Sequence, residues 1–348
     1  MDVRLSPEQQ ALRDAVAQVV ERLGPKAVHD LDDADRTARL DAAVAQAGVR
    51  ELRTDDDGAP LTSAVEPALV AEVLARGLAD VPFVGPTLAA ELRRIAGAAP
   101  ADGPETVALT ADLAGPAVVG PGAAGEVPAG ALAVDAAGAA TALLLVEAPG
   151  GHTLATAKVA GPGGNPRATS GPDLTRPTVV LDAADVTAVD GSGVITPEQL
   201  TAWHSFGLAL ATAELVGVMD GAVVLARDYA LGREQYDAPI GSYQAVQHLL
   251  ADAYTLLEGA RSTALHAAWA VDALPPAEAL TAAAVAKAYA ARSAQQVVET
   301  CIQVHGGNGN TWEYLPHVFL RRGLVATDLL GGVGASLERI LTAYEIGA

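Results

Sequence analysis

Cysteine is nearly missing from this 348-residue chain: Cys301 stands alone, which excludes an internal disulfide framework and a cysteine-rich metal site. Its neighbours Val297, Val298 and Ile302 read as a packed helix, so a buried thiol is expected there and not a nucleophile. The seven histidines are scattered without an HExxH pattern or other zinc spacing, and no metal site is expected. Basic residues are also scarce, 22 Lys and Arg against 42 Asp and Glu, for a formal net charge of −20. Nucleic-acid binding needs basic patches that displace counterions, and no stretch here joins more than two Arg or Lys. An anionic ligand must therefore meet a local pocket of positive charge. The most apolar windows, such as Ala211 to Ala226, are broken by Glu214 and Asp220 before the ~20 residues of a membrane span. Met1 to Ser6 lacks the basic and apolar regions of a secretory signal, so a soluble, cytoplasmic protein with no membrane partner is expected.

What is present divides into three textures. Ser6-Pro7-Glu8-Gln9 is a helix start, with Ser6 as cap, Pro7 at the first helical position and Gln9 closing a capping box. Further helices are predicted at Thr37 to Gly48, Leu61 to Gly77 and Thr87 to Gly97, giving a helical domain over 1–102. Between residues 103 and 193 Gly and Pro multiply and short apolar runs appear at Thr106 to Thr110, Ala140 to Glu147 and Thr178 to Asp182. These are strand signals of a small β domain, with Gly150 to Gly171 expected as a surface loop. Gly120-Pro121-Gly122-Ala123-Ala124-Gly125 matches GxGxxG formally, but it contains Pro and no helix follows, so it reads as a loop. Thr196-Pro197-Glu198-Gln199 repeats the helix-start pattern, and from there an alanine-rich bundle of about four long helices is predicted over 194–348. Helices as rich in Ala, Leu and Val as Ala279 to Val298 need partners on more than one side, which predicts an oligomer.

Two stretches at breaks in that bundle carry the chemistry. Gly232-Arg233-Glu234-Gln235-Tyr236-Asp237-Ala238-Pro239-Ile240 ends one helix and leads to Gln244 in the next. Gln303-Val304-His305-Gly306-Gly307-Asn308-Gly309-Asn310 ends another in glycines that let backbone amides approach an anion. Together they suit a pyrophosphate.

Arg233 to Ile240 with Gln244 and Gln247, and Gln303 to Gly309 with Glu313 and Arg321, resemble the two C-terminal motifs of the acyl-CoA dehydrogenase family of FAD flavoproteins. Ala251-Asp252 with Glu258 and Arg261, Ala286-Lys287, and Asp173-Leu174-Thr175-Arg176 add weaker matches. The resemblance implies a mainly α, α+β fold with an N-terminal helical domain, a middle β-barrel and a C-terminal four-helix bundle. It implies FAD as cofactor, held across a subunit interface by Arg233, Gln235, Tyr236, Gln244, Gln303, Gly306, Gly307 and Gly309. Asp237 departs from the family's glycine and adds negative charge near a phosphate site.

In that family a carboxylate removes the α proton of an acyl thioester while the β hydrogen leaves as hydride to flavin, giving a 2-enoyl-CoA. The usual glutamate position, counted from Arg321, falls at Leu330 before Gly331, and an alternative position falls at Gly207; neither carries an acid. Asp328, Glu214 and Asp220 are the nearby carboxylates, with Asp328 the substitute to consider; the other roles are a cap on the helix restarting near Gly331 for Asp328, and a position facing solvent or a partner for Glu214 and Asp220. The family's flavin-stacking Trp-Ile-Thr element is missing, since Trp203, Trp269 and Trp312 all lie in the bundle.

These gaps are similar to the short, base-lacking subunits of actinobacterial heterotetrameric acyl-CoA dehydrogenases associated with steroid side chains. That resemblance implies an α2β2 assembly with a homologous subunit that supplies the base, an acyl-CoA substrate, and an electron-transfer flavoprotein as acceptor. Two alternatives stay open: a homomeric dehydrogenase using Asp328, and a flavin-free structural or binding homologue.

Overall fold

A computed structural model describes residues 4–56, 59–121, 126–159, 171–181 and 186–345. The GxGxxG-like stretch and the second half of the Gly150 to Gly171 segment lie largely outside them.

Four helices build the first domain: α1 (Pro7–Leu23), α2 (Ala34–Gln46), α3 (Val65–Arg76) and α4 (Val84–Ile95). Between α2 and α3 lies a two-residue ribbon, β1 (Asp55–Asp56) with β2 (Ala59–Pro60). α1 starts as its sequence requires, with the Ser6 hydroxyl accepting from Gln9 N–H and the Gln9 side chain accepting from Ser6 N–H.

The middle domain is one seven-stranded sheet made of β3 (Glu105–Leu109), β4 (Val118–Val119), β5 (Leu132–Ala133), β6 (Thr141–Ala148), β7 (Gly151–Lys158), β8 (Val179–Val180) and β9 (Val186–Ala188). Its order is β8-β5-β3-β6-β7-β9, with β4 also on β6, and its end strands β8 and β9 are not paired with each other among the described residues. Strand β7 corrects the expected loop: Gly151 to Lys158 pairs in full register with β6. Gly151, Ala155, Ala157 and Lys158 carry a weak strand signal, whereas the pairing against Leu143, Leu144 and Leu145 is decisive.

The third domain is the bundle: α5 (Pro197–Gly232), α6 (Gln244–Ala273), α7 (Pro276–His305), α8 (Pro316–Asp328) and the short α9 (Val333–Ala343). Three helices are long and two short, because the chain breaks again at Leu329 to Gly332. α5 alone is long and apolar enough to cross a membrane among the described residues, yet 83% of its most apolar window is buried by its neighbours, which makes it the core helix. Its glycines permit this burial. A Cβ on Gly217 would lie 2.1 Å from Glu72 O, and one on Gly221 2.3 Å from Arg76 O, so α5 and α3 meet backbone to backbone.

Buried charge joins the three domains. Glu214 of α5 is fully buried and receives Arg176 Nη1 of the middle domain at 2.8 Å and Arg322 Nε of α8 at 3.0 Å. Arg322 also donates to Ala79 O of the first domain, and Arg176 pairs with Asp173.

Candidate functional site

The two motifs meet at one end of the bundle. α5 stops at Arg233, whose N–H bonds Tyr229 O at 2.8 Å. The Tyr229 ring stacks on His305 at 4.2 Å between centroids, and its hydroxyl accepts from Asn308 Nδ2 at 3.0 Å. Tyr229 thus ties the arginine turn to the glycine turn. Strands β10 (Glu234–Gln235) and β11 (Ala238–Pro239) form a hairpin around Tyr236 and Asp237, which both have positive φ, +54° and +62°. That is the geometry of a two-residue hairpin turn for which glycine is the natural second residue, so Asp237 sits where its replacement of glycine is felt in the backbone as well as in charge. Tyr243 Oη braces the hairpin by donating to Gln235 O.

The side chains here are aimed at solvent. Arg233, Gln235, Gln244 and Gln303 are exposed, Tyr236 is 93% exposed, and the Arg233 guanidinium has no ion-pair partner among the described residues. Gly306 has φ +60°, and neither it nor Gly307 has any atom within 4 Å of where a Cβ would lie, so their backbone is open to a ligand. Gly309 differs. Its missing Cβ would fall 2.8 Å from Ile302 O, and it serves packing instead of approach. An exposed cationic fork beside an open glycine turn fits the diphosphate end of a dinucleotide such as FAD.

The expected base position lies elsewhere. Gly207 and Arg233 are 26 residues apart on one continuous helix, which at ~1.5 Å per residue separates them by roughly 39 Å. There Leu330 is fully buried, and its side chain fills the space over Gly207: a Cβ at Gly207 would meet Leu330 Cδ1 at 2.3 Å and Leu88 Cδ2 at 3.2 Å. Leu330 N–H bonds Leu113 O at 2.8 Å, closing the turn that follows β3 onto the turn that follows α8. Both leucines adopt left-handed backbone, φ +59° at Leu113 and +60° at Leu330, a costly conformation held by the surrounding contacts.

Cations pin this seal from behind. Arg339 donates to Leu330 O at 3.1 Å and to His204 Nε2 at 2.9 Å; burial first, then Arg339, push His204 down to about 4 and keep it neutral. Fully buried Lys287 donates to Ala326 O at 2.8 Å and Leu329 O at 2.6 Å. Burial pushes its ammonium from 10.5 down to about 7, against the pull of Glu214 and Asp328. Between those two values the unfolded chain binds more protons at this lysine than the folded chain, so stability rises with pH across that window and falls as pH drops towards 7. Urea midpoints should climb between pH 7 and 9, and Lys287→Met should flatten that climb; an unchanged slope would refute the assignment.

Of the nearby carboxylates, Glu214 is consumed by its two arginines, and Asp220 is paired with Arg76 at 3.2 Å and Arg261 at 3.1 Å. Asp328 is exposed at the end of α8. Residues Leu329 to Gly334 carry no acid. Sequence reasoning missed Leu113, His204 and Arg339; Lys287 and Arg176 were visible only as motif members without a role.

Residues 207–343 match the family model described as acyl-CoA dehydrogenase, C-terminal domain. Acyl-CoA dehydrogenase FadE34 of Mycobacterium tuberculosis is 37% identical over 169 residues, covering 49% of this chain and 23% of that protein. FadE27 of the same organism is 37% identical over 37% of this chain and 36% of its own, so the chain spans well under two thirds of these curated relatives. Acyl-CoA dehydrogenase IpdE2 of the same organism is 29% identical over 96% of each chain. Among solved structures, a Tcur3481-Tcur3483 steroid acyl-CoA dehydrogenase variant matches with TM-score 0.78 at 24% identity over 98% of both chains. The ChsE4-ChsE5 complex of Mycobacterium tuberculosis matches with TM-score 0.77 at 22% identity over 100% of both, a likeness of fold.

Proposed function

We propose, for a chain that belongs to the acyl-CoA dehydrogenase family, that it acts as the base-lacking subunit of a cytoplasmic heteromeric FAD-dependent acyl-CoA dehydrogenase. The reaction is α,β-dehydrogenation of an acyl-CoA thioester to a 2-enoyl-CoA. When bound, the flavin supplies the hydride acceptor. This chain's share is to hold the nucleotide end: Arg233 faces the diphosphate, and Gln303, Gly306 and Gly307 offer donors without side-chain bulk.

One observation carries the reading. The diphosphate grip and the chain's own base position stand about 39 Å apart on one helix, so the two cannot serve the same reacting ring. A ring whose diphosphate rests on Arg233 must lie against another chain. The sealed contact of Leu330 with Gly207 and Leu113 points the same way, because neither an acyl chain nor an isoalloxazine fits where those side chains pack. A second identical copy would bring a second sealed cleft, so the partner is an unlike homologue with an open cleft and a carboxylate, in an α2β2 assembly. Likeness to heteromeric structures, one of them a steroid enzyme, favours a steroid-type acyl-CoA as substrate and an electron-transfer flavoprotein as acceptor. The homomeric alternative with Asp328 as base is disfavoured by that residue's exposure, since an effective base next to a thioester works in a desolvated site.

The test is purification of the chain alone and together with a homologous partner. Flavin absorbance and acyl-CoA oxidation should appear only in the mixed sample. A yellow, active isolated chain would support the homomeric enzyme, and a colourless mixed complex would leave only a flavin-free role.

A further inference from the structure

His305 closes α7 and directly precedes the open Gly306-Gly307 turn. Only 4% of it is exposed, so its ring is fixed by what it touches. One face stacks on Tyr229, with centroids 4.2 Å apart and planes at 24°, while Tyr314 stands edge-on with centroids 6.2 Å apart. Its Nδ1 lies 2.8 Å from Cys301 O, and a carbonyl oxygen can only accept, so Nδ1 carries the hydrogen. The neutral ring therefore keeps its lone pair on Nε2, which has no hydrogen-bond partner among the described residues and is not sealed from solvent as Nε2 of His317 is.

A proton can arrive at Nε2 without breaking a bond. Nδ1 keeps Cys301 O, and the cationic ring keeps the face of Tyr229, which attracts positive charge. Burial holds the pKa of the free ring below 6.5, against the bond to Cys301 O, which favours the charged form. The titratable groups facing the ring are Cys301 of its own helix, with Sγ 3.9 Å from Nδ1, Tyr229 of α5 and Tyr314 ahead of α8. Burial pushes the Cys301 thiol up to about 12, so it stays uncharged. No carboxylate, Lys or Arg touches the ring among the described residues. Arg233, one helical turn after Tyr229 on the chain, is the permanent charge of the grip.

We propose that His305 is the proton-linked positioning residue of the nucleotide grip: on taking up a proton at Nε2 it sets a positive charge beside the Gly306-Gly307 turn and tightens the hold on a nucleotide diphosphate. This deepens the cofactor reading and rests on it. Consecutive Cα atoms are ~3.8 Å apart, so a diphosphate resting on the Gly306 amide lies within roughly 10 Å of the imidazole, about one Debye length in 0.1 M salt. At that range unlike charges attract without touching. By linkage the bound dianion raises the pKa of His305, so binding takes up a proton. Retention then tightens as pH falls through the raised pKa and levels off below the pKa of the free chain. A guanidinium keeps its charge throughout, so Arg233 sets the strength of the hold and His305 its dependence on pH.

Equilibrium dialysis of FAD against the mixed complex at pH 8 and pH 6 tests this. Retention by the parent should be about threefold tighter at pH 6, or more. His305→Phe keeps a ring against Tyr229 but cannot take a proton, and it should show one affinity at both pH values; His305→Gln should be flat as well. Arg233→Ala should weaken retention at both and keep their ratio. Urea midpoints at both pH values show that each variant is folded. Equal retention by the parent at pH 6 and pH 8, or the same tightening in either His305 variant, would overturn this inference and leave the cofactor reading standing. No retention of FAD at either pH would overturn both.

Discussion

Glu214→Leu should lower the stability of the chain by about 3 to 5 kcal/mol, a large share of the roughly 5 to 15 kcal/mol typical of folded domains. Glu214 is fully buried between two guanidiniums drawn from different domains. At Arg176 burial opposes the charge, but Glu214, Asp173 and Asp135 together outweigh it and raise its pKa. Removing Glu214 leaves Arg322 buried without a carboxylate and takes away one of the carboxylates that hold Arg176, and an uncompensated buried charge costs far more than the pair itself contributes. Glu214→Gln keeps the shape and should recover part of the loss. Asp328→Asn should change the urea midpoint little, because that side chain is exposed. Glu214 is also one of the carboxylates near the expected base position. If Glu214→Gln instead left stability intact and removed activity from the mixed complex, the structural account of this carboxylate would be wrong.

Arg233→Ala should weaken flavin retention by the mixed complex by roughly tenfold to a hundredfold, the equivalent of the ~1.5 to 3 kcal/mol of hydrogen bonds to a charged group. The fold should not notice, since Arg233 is exposed and bonds the rest of the chain through its backbone N–H to Tyr229 O. Arg233→Lys keeps the charge but loses the planar fork and should fall between the two. Asp237→Gly should tighten retention modestly, because it removes a negative charge and relaxes a backbone with φ +62°. Equilibrium dialysis of FAD against the apo-complex measures all three. Unchanged affinity in Arg233→Ala would remove the arginine from the site.

Local signals were legible in the sequence where local physics decides. Both helix starts follow their capping boxes, Ser6 with Gln9 and Thr196 with Gln199, and each helix begins one residue after its cap, at Pro7 and Pro197. The bundle breaks near Gly232, Leu274 and Gly306 were readable from Gly and Pro. Strand β7 was not, because Gly151, Ala155, Ala157 and Lys158 interrupt its strand signal and its stability comes from pairing with β6. The motif at Arg233 and the glycine turn at Gly306 could be read as residues, and their junction through Tyr229 could not, since it joins positions 79 apart in sequence. The seal was least legible of all. That Leu330 lacks an acid is written in the sequence, whereas its bond to Leu113 and its packing on Gly207 depend on two left-handed leucines that no pattern announces.

Native mass spectrometry of the chain assembled with its unlike partner addresses the shared site most directly, by counting cofactor per assembly. With one cleft sealed by Leu330 in each of these chains, one FAD for every pair of unlike chains is expected, and two in an α2β2 particle. Four in such a particle, or FAD retained by this chain on its own, would contradict the account.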